Sequence, residues 1–130
     1  MTLRNKREVL MKTYIWPVEI RLQKDRQHLL IEFDDNTSIK LSAEYLRTHS
    51  PSAEVQGHAA DQKKLVSGKA DVKILEVLPQ GNYAVRLVFD DMHNTGIYSW
   101  TYLQELAINF AANWQVYIEE LASAGASREH

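Results

Sequence analysis

One polar segment of this 130-residue chain carries the side chains best suited to binding or proton transfer. It spans residues 45–58 and contains two of the five histidines, His49 and His58, with Ser50 and Ser52 between them. Imidazole rings can bind metal ions or move protons, and hydroxyls can donate or accept hydrogen bonds. Because apolar segments flank this stretch, we predict a functional surface loop supported by a packed scaffold.

A third histidine, His93, follows a predicted strand in the second half of the chain. If its turn meets the first loop, His49, His58 and His93 would form a metal or anion site lined by imidazoles. The alternative is that these irregularly spaced histidines are solvated or hydrogen-bonded turn residues. The acid pairs at 34–35 and 90–91 leave a similar choice, between turn formation and a weak divalent-cation site.

The motifs argue against the common kinds of enzyme. The chain has no cysteine, which excludes disulfides, thiolate nucleophiles, thiolate zinc sites and iron–sulfur clusters held by this chain alone. The five glycines are scattered, so there is no phosphate-binding loop, and no Gly-x-Ser-x-Gly segment occurs. No histidine is followed two residues later by Asp or Glu, the motif of facial-triad iron oxygenases. We therefore predict no enzymatic activity and no cofactor.

The overall composition predicts one globular domain. With 45% hydrophobic and 25% charged residues, the chain can bury a single core. A formal net charge of −2, with cations interspersed among anions, gives no electrostatic basis for binding nucleic acid. No apolar run approaches the roughly 18 residues of a membrane span, and no signal peptide is recognisable. We therefore expect a cytoplasmic protein without nucleic-acid or membrane partners.

Alternating apolar residues predict a meander of three strands in the first half, over 18–22, 29–33 and 39–41. Polar turns rich in Asp and Asn connect them. Ser42 is placed to cap a short helix that ends before Pro51.

The second half predicts strands over 72–77, 83–89 and 95–98, with a turn at 79–82. A helix follows over 101–121, and its aromatic stripe is predicted to be core. The far end of this helix could provide a homodimer contact.

Together these elements predict an α+β fold, a small and mostly antiparallel β-sheet system with a short helix and one long C-terminal helix packed on it. We expect residues 1–13 to be a flexible extension, residues 14–125 to be a single domain, and residues 126–130 to be a frayed tail.

Four segments resemble the gamma-butyrobetaine hydroxylase-like N-terminal domain family: residues 41–47 (LSAEYLR), 49–58 (HSPSAEVQGH), 81–91 (GNYAVRLVFDD) and 93–100 (HNTGIYSW). The resemblance covers about residues 18–106. The resemblance implies a comparison with the hydroxylases of this family. Their corresponding domain holds a zinc ion with the three cysteines of a Cys-Pro-Cys-x-x-Cys loop and one later histidine. The matching positions here are Ser50, Ser52, Val55 and His93, so that site is not expected to form.

The resemblance implies a function without catalysis, because the oxygenase barrel is missing from this chain. Related domains fused to P-loop ATPases of the iron–sulfur carrier type imply an adaptor for a protein partner, linked to iron–sulfur cluster assembly. The alternatives are a metal-binding protein using His49, His58 and His93, or an accessory subunit of an iron/2-oxoglutarate oxygenase. The predicted interaction surface consists of Arg47, His49, Ser50, Ser52, Glu54, Gln56, His58, Asp91 and His93.

Overall fold

The structure, a computed structural model, describes residues 16–57 and 63–129. Its strands are β1 (Pro17–Leu22), β2 (His28–Phe33), β3 (Ser38–Ser42), β4 (Ile74–Gln80), β5 (Ala84–Phe89) and β6 (Ile97–Ser99). Its helices are α1 (Ala43–Thr48), α2 (Ala53–Gln56), α3 (Trp100–Ile108) and α4 (Phe110–Ser123). The strands form two antiparallel sheets, β1-β2-β3 and β4-β5-β6, which confirms the predicted α+β fold.

The first sheet follows from the alternation of apolar and polar residues. β2 is its central strand and buries Leu29 and Ile31 completely. The turn into β3 is stabilised by the carboxylate of Asp35, which accepts the backbone N–H of Thr37 at 3.0 Å. Asn36 takes a φ of 69°, a conformation that its short polar side chain tolerates. Asp35 therefore serves turn formation.

The short helix α1 begins as the sequence predicts. Oγ of Ser42 accepts the backbone N–H of Tyr45 at 3.0 Å, which satisfies an amide that has no partner inside the helix. Tyr45 and Leu46 are fully buried and join the core shared by both sheets. α1 thus anchors the start of the predicted functional loop.

The second sheet differs from the prediction in one turn. β4 runs on to Gln80, so Pro79 lies in an edge strand, and the reversal falls at Gly81 with a φ of 56°. Proline is tolerated at an edge because it loses no ladder hydrogen bond there. The predicted central strand, β5, is confirmed and buries residues on both faces.

The predicted single C-terminal helix is interrupted at Asn109, between α3 and α4. Ser99 caps α3, since its Oγ accepts the N–H of Tyr102 at 3.1 Å. α3 packs on the core, but α4 buries only Tyr117 and Leu121. The predicted core role of Phe110 is wrong, because its side chain is 45% exposed at the start of α4, directly after the interruption at Asn109.

The described end of the chain, residues 126–129, is held against the domain, whereas the sequence predicted a frayed tail over 126–130. The carbonyls of Ser127 and Arg128 accept hydrogen bonds from the N–H groups of Gly68 and Ala70, at 2.8 and 3.0 Å. The guanidinium of Arg128 donates twice to the carboxylate of Glu44, at 2.8 Å each.

Within residues 16–57 and 63–129, no helix has the length and apolar character to cross a bilayer. The predicted extension at 1–13 lies outside the described residues.

Candidate functional site

The loop after α1 and the segment between β5 and β6 meet at one buried histidine. Nε2 of His93 lies 2.9 Å from Oγ of Ser50 and 3.3 Å from Oγ of Ser52. All three side chains are buried, and Ser50 has 0% of its surface exposed. Hydrogen bonds therefore join two loops that are more than 40 positions apart in the chain.

The other ring nitrogen of His93 contacts an acid. Nδ1 lies 3.1 Å from Oε2 of Glu54, whose Oε1 accepts a hydrogen bond from the hydroxyl of Thr95 at 3.1 Å. Burial lowers the pKa of His93 and the charge of Arg47 lowers it further, and together they outweigh Glu54, which raises it. The neutral ring then donates from Nδ1 to Glu54 and accepts a serine hydroxyl at Nε2. We call Ser50, Ser52, Glu54 and His93 the serine–histidine network.

An ion cluster flanks the network. Nε of Arg47 and Nζ of Lys69 each lie 2.7 Å from Oδ2 of Asp91, and Oδ1 accepts the N–H of His93 at 3.2 Å. Burial alone would raise the pKa of Asp91, but the bonds from Lys69 and Arg47 outweigh it and hold that pKa below 3.8. The ionised Asp91 therefore ties α1 and the loop before β4 to the turn that carries His93.

Buried backbone groups fix the loop further. The hydroxyl of Tyr98 donates to the carbonyl of Leu46, and Nε2 of Gln56 donates to the carbonyl of Ser50 at 2.8 Å. Gly96 closes the other side, because a Cβ there would lie 2.5 Å from Oγ of Ser50. No larger residue fits at this position without moving the serine.

The contacts run from a serine to a histidine and from that histidine to an acid. Acyl-transfer enzymes use the same succession of contacts, and in them the imidazole takes the serine proton. Two features differ from such a triad. The hydroxyl of Ser50 is fully buried, whereas a nucleophile must contact its substrate. The side chain of Glu54 is 61% exposed, whereas the acid that orients a catalytic histidine is buried. The arrangement therefore suits holding two segments together.

The residues at the zinc-ligand positions implied by the resemblance do not fit zinc. Three of these positions offer two neutral hydroxyls and one imidazole, and the side chain of the fourth, Val55 of α2, has no donor atom at all. Nε2 of His93, the atom that would bind the metal, already accepts a hydrogen bond at 2.9 Å. Structural zinc sites use thiolate and imidazole ligands, so hydrogen bonds occupy the place of a metal here.

The predicted metal-binding histidines have separate partners. Nδ1 of His49 lies 3.1 Å from the carbonyl of Tyr45, and its ring packs on Tyr45 and Tyr117. Burial lowers the pKa of His49, the backbone bond to Tyr45 opposes this, and the charge of Lys63 lowers it further. Within the described ranges, no cluster of three or more metal-ligating side chains could hold an ion. His58 lies outside those ranges, so the three-histidine site stays a prediction.

The predicted interaction residues divide into an interior and an exposed group. Ser50, Ser52 and His93 are buried and cannot touch a partner directly, which corrects their assignment to a surface. Glu54 is exposed, whereas the remaining described residues are half-buried: Arg47, His49, Gln56 and Asp91. Sequence reasoning missed Lys69, Thr95, Gly96 and Tyr98 at this site.

Comparisons with known proteins agree with the resemblance. The family model described as gamma-butyrobetaine hydroxylase-like, N-terminal, matches residues 20–104, more than half of the chain. Two NMR solution structures are each 45% identical, with a TM-score of 0.76. Both comparisons cover 88% of this chain, together with 90% and 85% of the other chains.

A crystal structure is also similar, that of a protein of unknown function of the DUF971 family from Acidithiobacillus ferrooxidans. It is 37% identical with a TM-score of 0.59, covering 70% of this chain and 91% of that chain. No curated protein matches the sequence. The length of the family match and the identity of these structures together place the chain in the gamma-butyrobetaine hydroxylase-like N-terminal domain family.

Proposed function

We propose that this chain is a non-catalytic interaction domain that binds a protein partner through the surface above the serine–histidine network. We call this surface the recognition face and define it as Glu54, Met92, Asn94 and Thr95, all exposed. The observation that carries the proposal is the chain of hydrogen bonds from Ser50 through His93 to Glu54. It fixes two loops against each other and leaves one of its ends, Glu54, at the surface.

The burial of the serine supports a role without catalysis. Ser50 has 0% exposure, and Gly96 packs so closely that even a methyl group would meet Oγ at 2.5 Å. An acyl substrate must approach a nucleophile to about 3 Å with donors ready for the developing oxyanion. Reaching Ser50 would require the two loops to separate, which breaks the histidine bond that activates a serine.

The exposed end of the same structure supports a recognition role. Met92 is 86% exposed and has a φ of 74°, in the left-handed region that side chains other than glycine adopt infrequently. The turn is closed by bonds from Met92 N to Phe89 O at 3.2 Å and from Phe89 N to His93 O at 2.9 Å. A flexible thioether on a fixed turn suits an adaptable protein contact.

The polar members of the recognition face are also oriented in advance. The hydroxyl of Thr95 and Nδ1 of His93 both hold the carboxylate of Glu54, so a partner cation meets a positioned acid. Groups that are ordered before binding lose less entropy when a complex forms.

The first partner to test is a P-loop ATPase of the iron–sulfur carrier type, because related domains occur fused to such ATPases. An iron/2-oxoglutarate oxygenase is the second.

The experiment is quantitative capture followed by titration. The immobilised full chain is exposed to native lysate, and captured proteins are quantified for wild type, Glu54→Lys and Met92→Asp. The matched control is Tyr83→Ser, a change at another exposed hydrophobic residue with 58% exposure, in the turn between β4 and β5. We expect a protein whose capture falls in both recognition-face variants and persists with the control.

Calorimetric titration of that purified protein, or of the carrier ATPase itself, then measures the affinity. A loss of about tenfold or more in affinity for Met92→Asp would fit a contact worth about 1.4 kcal/mol. Equal capture by wild type and both variants would contradict the proposal. Labelling of the native chain at Ser50 or Ser52 by a fluorophosphonate probe would contradict the absence of catalysis.

A further inference from the structure

A small cavity lies between the end of α1, the segment that begins at Lys63, and α4. It has a volume of about 160 Å³, and we call it the lysine cavity, defined by the lining residues His49, Lys63, Lys64, Tyr117 and Glu120. One water molecule takes up about 30 Å³ of the liquid, so the cavity has room for about five waters. Drug-sized ligands need roughly 300 Å³ or more. The lysine cavity therefore suits a small ion or molecule.

Hydrogen bonds and ring packing hold the walls of the lysine cavity in place. The hydroxyl of Tyr117 donates to the carbonyl of Val66 at 2.7 Å, and the N–H of Lys64 donates to the carbonyl of Val55 at 2.7 Å. The ring of His49 packs edge-on against that of Tyr117, with the ring centroids 5.8 Å apart. The backbone of the cavity is thus ordered before any ligand arrives, which lowers the entropy cost of binding.

His49 has one ring nitrogen without a partner. Nδ1 lies 3.1 Å from the carbonyl of Tyr45, and it donates there because a carbonyl can only accept. Nε2 has no hydrogen-bond partner within residues 16–57 and 63–129. It remains accessible to solvent, since Nη1 of Arg47 is the only fully buried side-chain nitrogen or oxygen without a partner in those ranges. The neutral ring therefore offers a lone pair at Nε2, and the protonated ring offers an N–H.

The two lysines give the cavity an excess of positive charge. Lys63 and Lys64 are exposed, and among the described residues neither has a carboxylate oxygen within 4.0 Å. Burial lowers the pKa of His49, the bond to Tyr45 raises it, and the charge of Lys63 lowers it further, so this ammonium acts on the ring. Among the described residues that line the cavity, Glu120 is the only acid. Two cations thus face one anion.

We propose that the lysine cavity binds a small tetrahedral oxyanion, a free phosphate or sulfate ion, between the ammonium groups of Lys63 and Lys64 and Nε2 of His49. Each ammonium group offers three N–H donors and a full positive charge to such an ion. A tetrahedral oxyanion has about as many heavy atoms as the cavity has room for waters. The positive excess is local, because the whole chain has a net charge of −2.

Binding at Nε2 is coupled to protonation of the ring. The lone pair of the neutral ring repels an oxyanion, whereas the imidazolium donates from Nδ1 to Tyr45 and from Nε2 to the ion. The negative charge of the bound ion therefore raises the pKa of His49. By the reciprocity of linked equilibria, the ion binds more tightly as the pH falls through that pKa.

The tyrosines around His49 stay neutral in this pH range. Burial raises the pKa of Tyr45, and it raises the pKa values of Tyr102 and Tyr117 to about 12. Beside Tyr117, the charges of Glu44 and Arg128 pair with each other. The remaining charged groups that face the cavity are Lys63, Lys64 and Glu120.

Sulfate is the probe for the proton coupling, because it keeps its charge throughout the range in which histidine titrates. NMR titration of the histidine rings in the full chain gives the pKa of His49 with and without sulfate at constant ionic strength. The spectrum of His49→Gln assigns the signals. We expect sulfate to raise this pKa by about 0.5 to 1, which corresponds to about three- to tenfold tighter binding by the protonated ring. An unchanged pKa would overturn the proposal.

Lysine variants test which side chains hold the ion. Lys63→Gln and Lys64→Gln should each weaken sulfate binding about fivefold, as the loss of one unit charge about 4 Å away in water-like surroundings predicts. Lys24→Gln is the matched control, a change at an exposed lysine in the turn between β1 and β2, and it should leave the affinity unchanged. Equal affinities of all three variants would contradict the assigned site.

A change of the opposite sign comes from the acid at the cavity. Glu120→Gln removes the negative charge from the lining and should strengthen sulfate binding about twofold. Glu119→Gln is its control, since Glu119 is an exposed neighbour on α4 that does not line the cavity. Circular dichroism verifies that the variants fold. Binding that is unchanged or weaker in Glu120→Gln would place the ion elsewhere.

Two phosphate probes test whether the occupant is a free ion. We expect inorganic phosphate to displace sulfate, and phenyl phosphate to bind no more tightly, because its ring exceeds the space in the cavity. Tighter binding of phenyl phosphate would overturn the assignment to a free ion. No saturable binding up to about 50 mM sulfate, where a site with a millimolar Kd is filled, would overturn the proposal as a whole.

Discussion

The serine–histidine network and the outer surface of helices α3 and α4 reverse the usual distribution of side chains. The network places two hydroxyls and an imidazole in the interior, where Ser50, Ser52 and His93 are at most 7% exposed. Helices α3 and α4 place isoleucine and alanine on the outside, up to 81% exposed at Ile108. Buried polar groups and exposed apolar stripes are the informative exceptions in a folded protein.

The difference between these regions is one of hydrogen bonding and packing. Every buried polar side chain of the network has a partner within 3.3 Å, so burial does not leave it unsatisfied. α4 buries only Tyr117 and Leu121, so most of its side chains lie outside the core. The network therefore holds two loops of the domain together, whereas α4 adds few side chains to the core.

The largest predicted effect is the difference in stability loss between replacing a buried tyrosine and replacing an exposed one. Tyr98 is fully buried and its hydroxyl donates to Leu46 O, so Tyr98→Ala should lower the free energy of unfolding by about 3–5 kcal/mol. The side chain of Tyr83 is 58% exposed, so Tyr83→Ala should change the free energy of unfolding by no more than about 0.5 kcal/mol. Urea unfolding of both variants measures the two losses of free energy. Similar losses would contradict the assignment of Tyr98 to the interior and Tyr83 to the surface.

The network itself is tested by Ser50→Ala. Removing Oγ leaves the N–H of Ser52 without its partner and leaves Nε2 of His93 with only the longer contact, at 3.3 Å, to Oγ of Ser52, which should cost about 1–3 kcal/mol. Loss of less than about 0.5 kcal/mol in chemical denaturation, the expectation for a surface serine, would show that the network is not structural.

The partial exposure of Phe110 predicts a moderate effect on stability when it is replaced. A fully buried aromatic residue replaced by alanine costs about 3–5 kcal/mol. Phe110 is 45% exposed and packs edge-on against Tyr45, so Phe110→Ala should cost about 1–2 kcal/mol. Thermal and urea unfolding give the value, and a loss above 3 kcal/mol would place this residue in the core after all.

The smallest effect is the response to pH. Burial lowers the pKa of His49 and of His93 below 6.5 in the folded state. Below pH 6.5 the unfolded chain therefore binds more protons, so stability is complete above that pH and falls as pH drops through the folded pKa values. The slope is at most about 1.4 kcal/mol per pH unit for each histidine. Urea unfolding between pH 7.5 and 5 measures it.

His93→Leu serves as the control for this pH effect. It removes one of the two titrating rings and should lower the slope, while His49 keeps its own contribution. An equal slope in wild type and variant would show that His93 does not couple protonation to folding.

Short-range features were predictable from sequence. The period-two strands of the first sheet, the cap at Ser42 and the cap at Ser99 depend on residues within a few positions of one another. The interruption of the helix at Asn109 was missed, because asparagine is compatible with a helix interior and the apolar pattern of the sequence continues through it.

The site was only partly predictable. His93 and the Ser-Pro-Ser loop could be found from residue type and from the family resemblance. Lys69 and Thr95 carried no signal, since their partners Asp91 and Glu54 are 22 and 41 positions away. Gly96 fell within a predicted strand, over 95–98, and its close approach to Ser50 exists only once the two loops meet.

A double-mutant cycle between Ser50 and His93 tests the central claim most directly. Unfolding free energies of Ser50→Ala, His93→Leu and the double variant give their coupling energy, with Ser50→Ala and Tyr83→Ala as the uncoupled reference pair. A structural hydrogen bond of 2.9 Å between buried groups predicts coupling of about 0.5–3 kcal/mol. Effects that add to within about 0.3 kcal/mol would contradict the claim that the network joins the two loops.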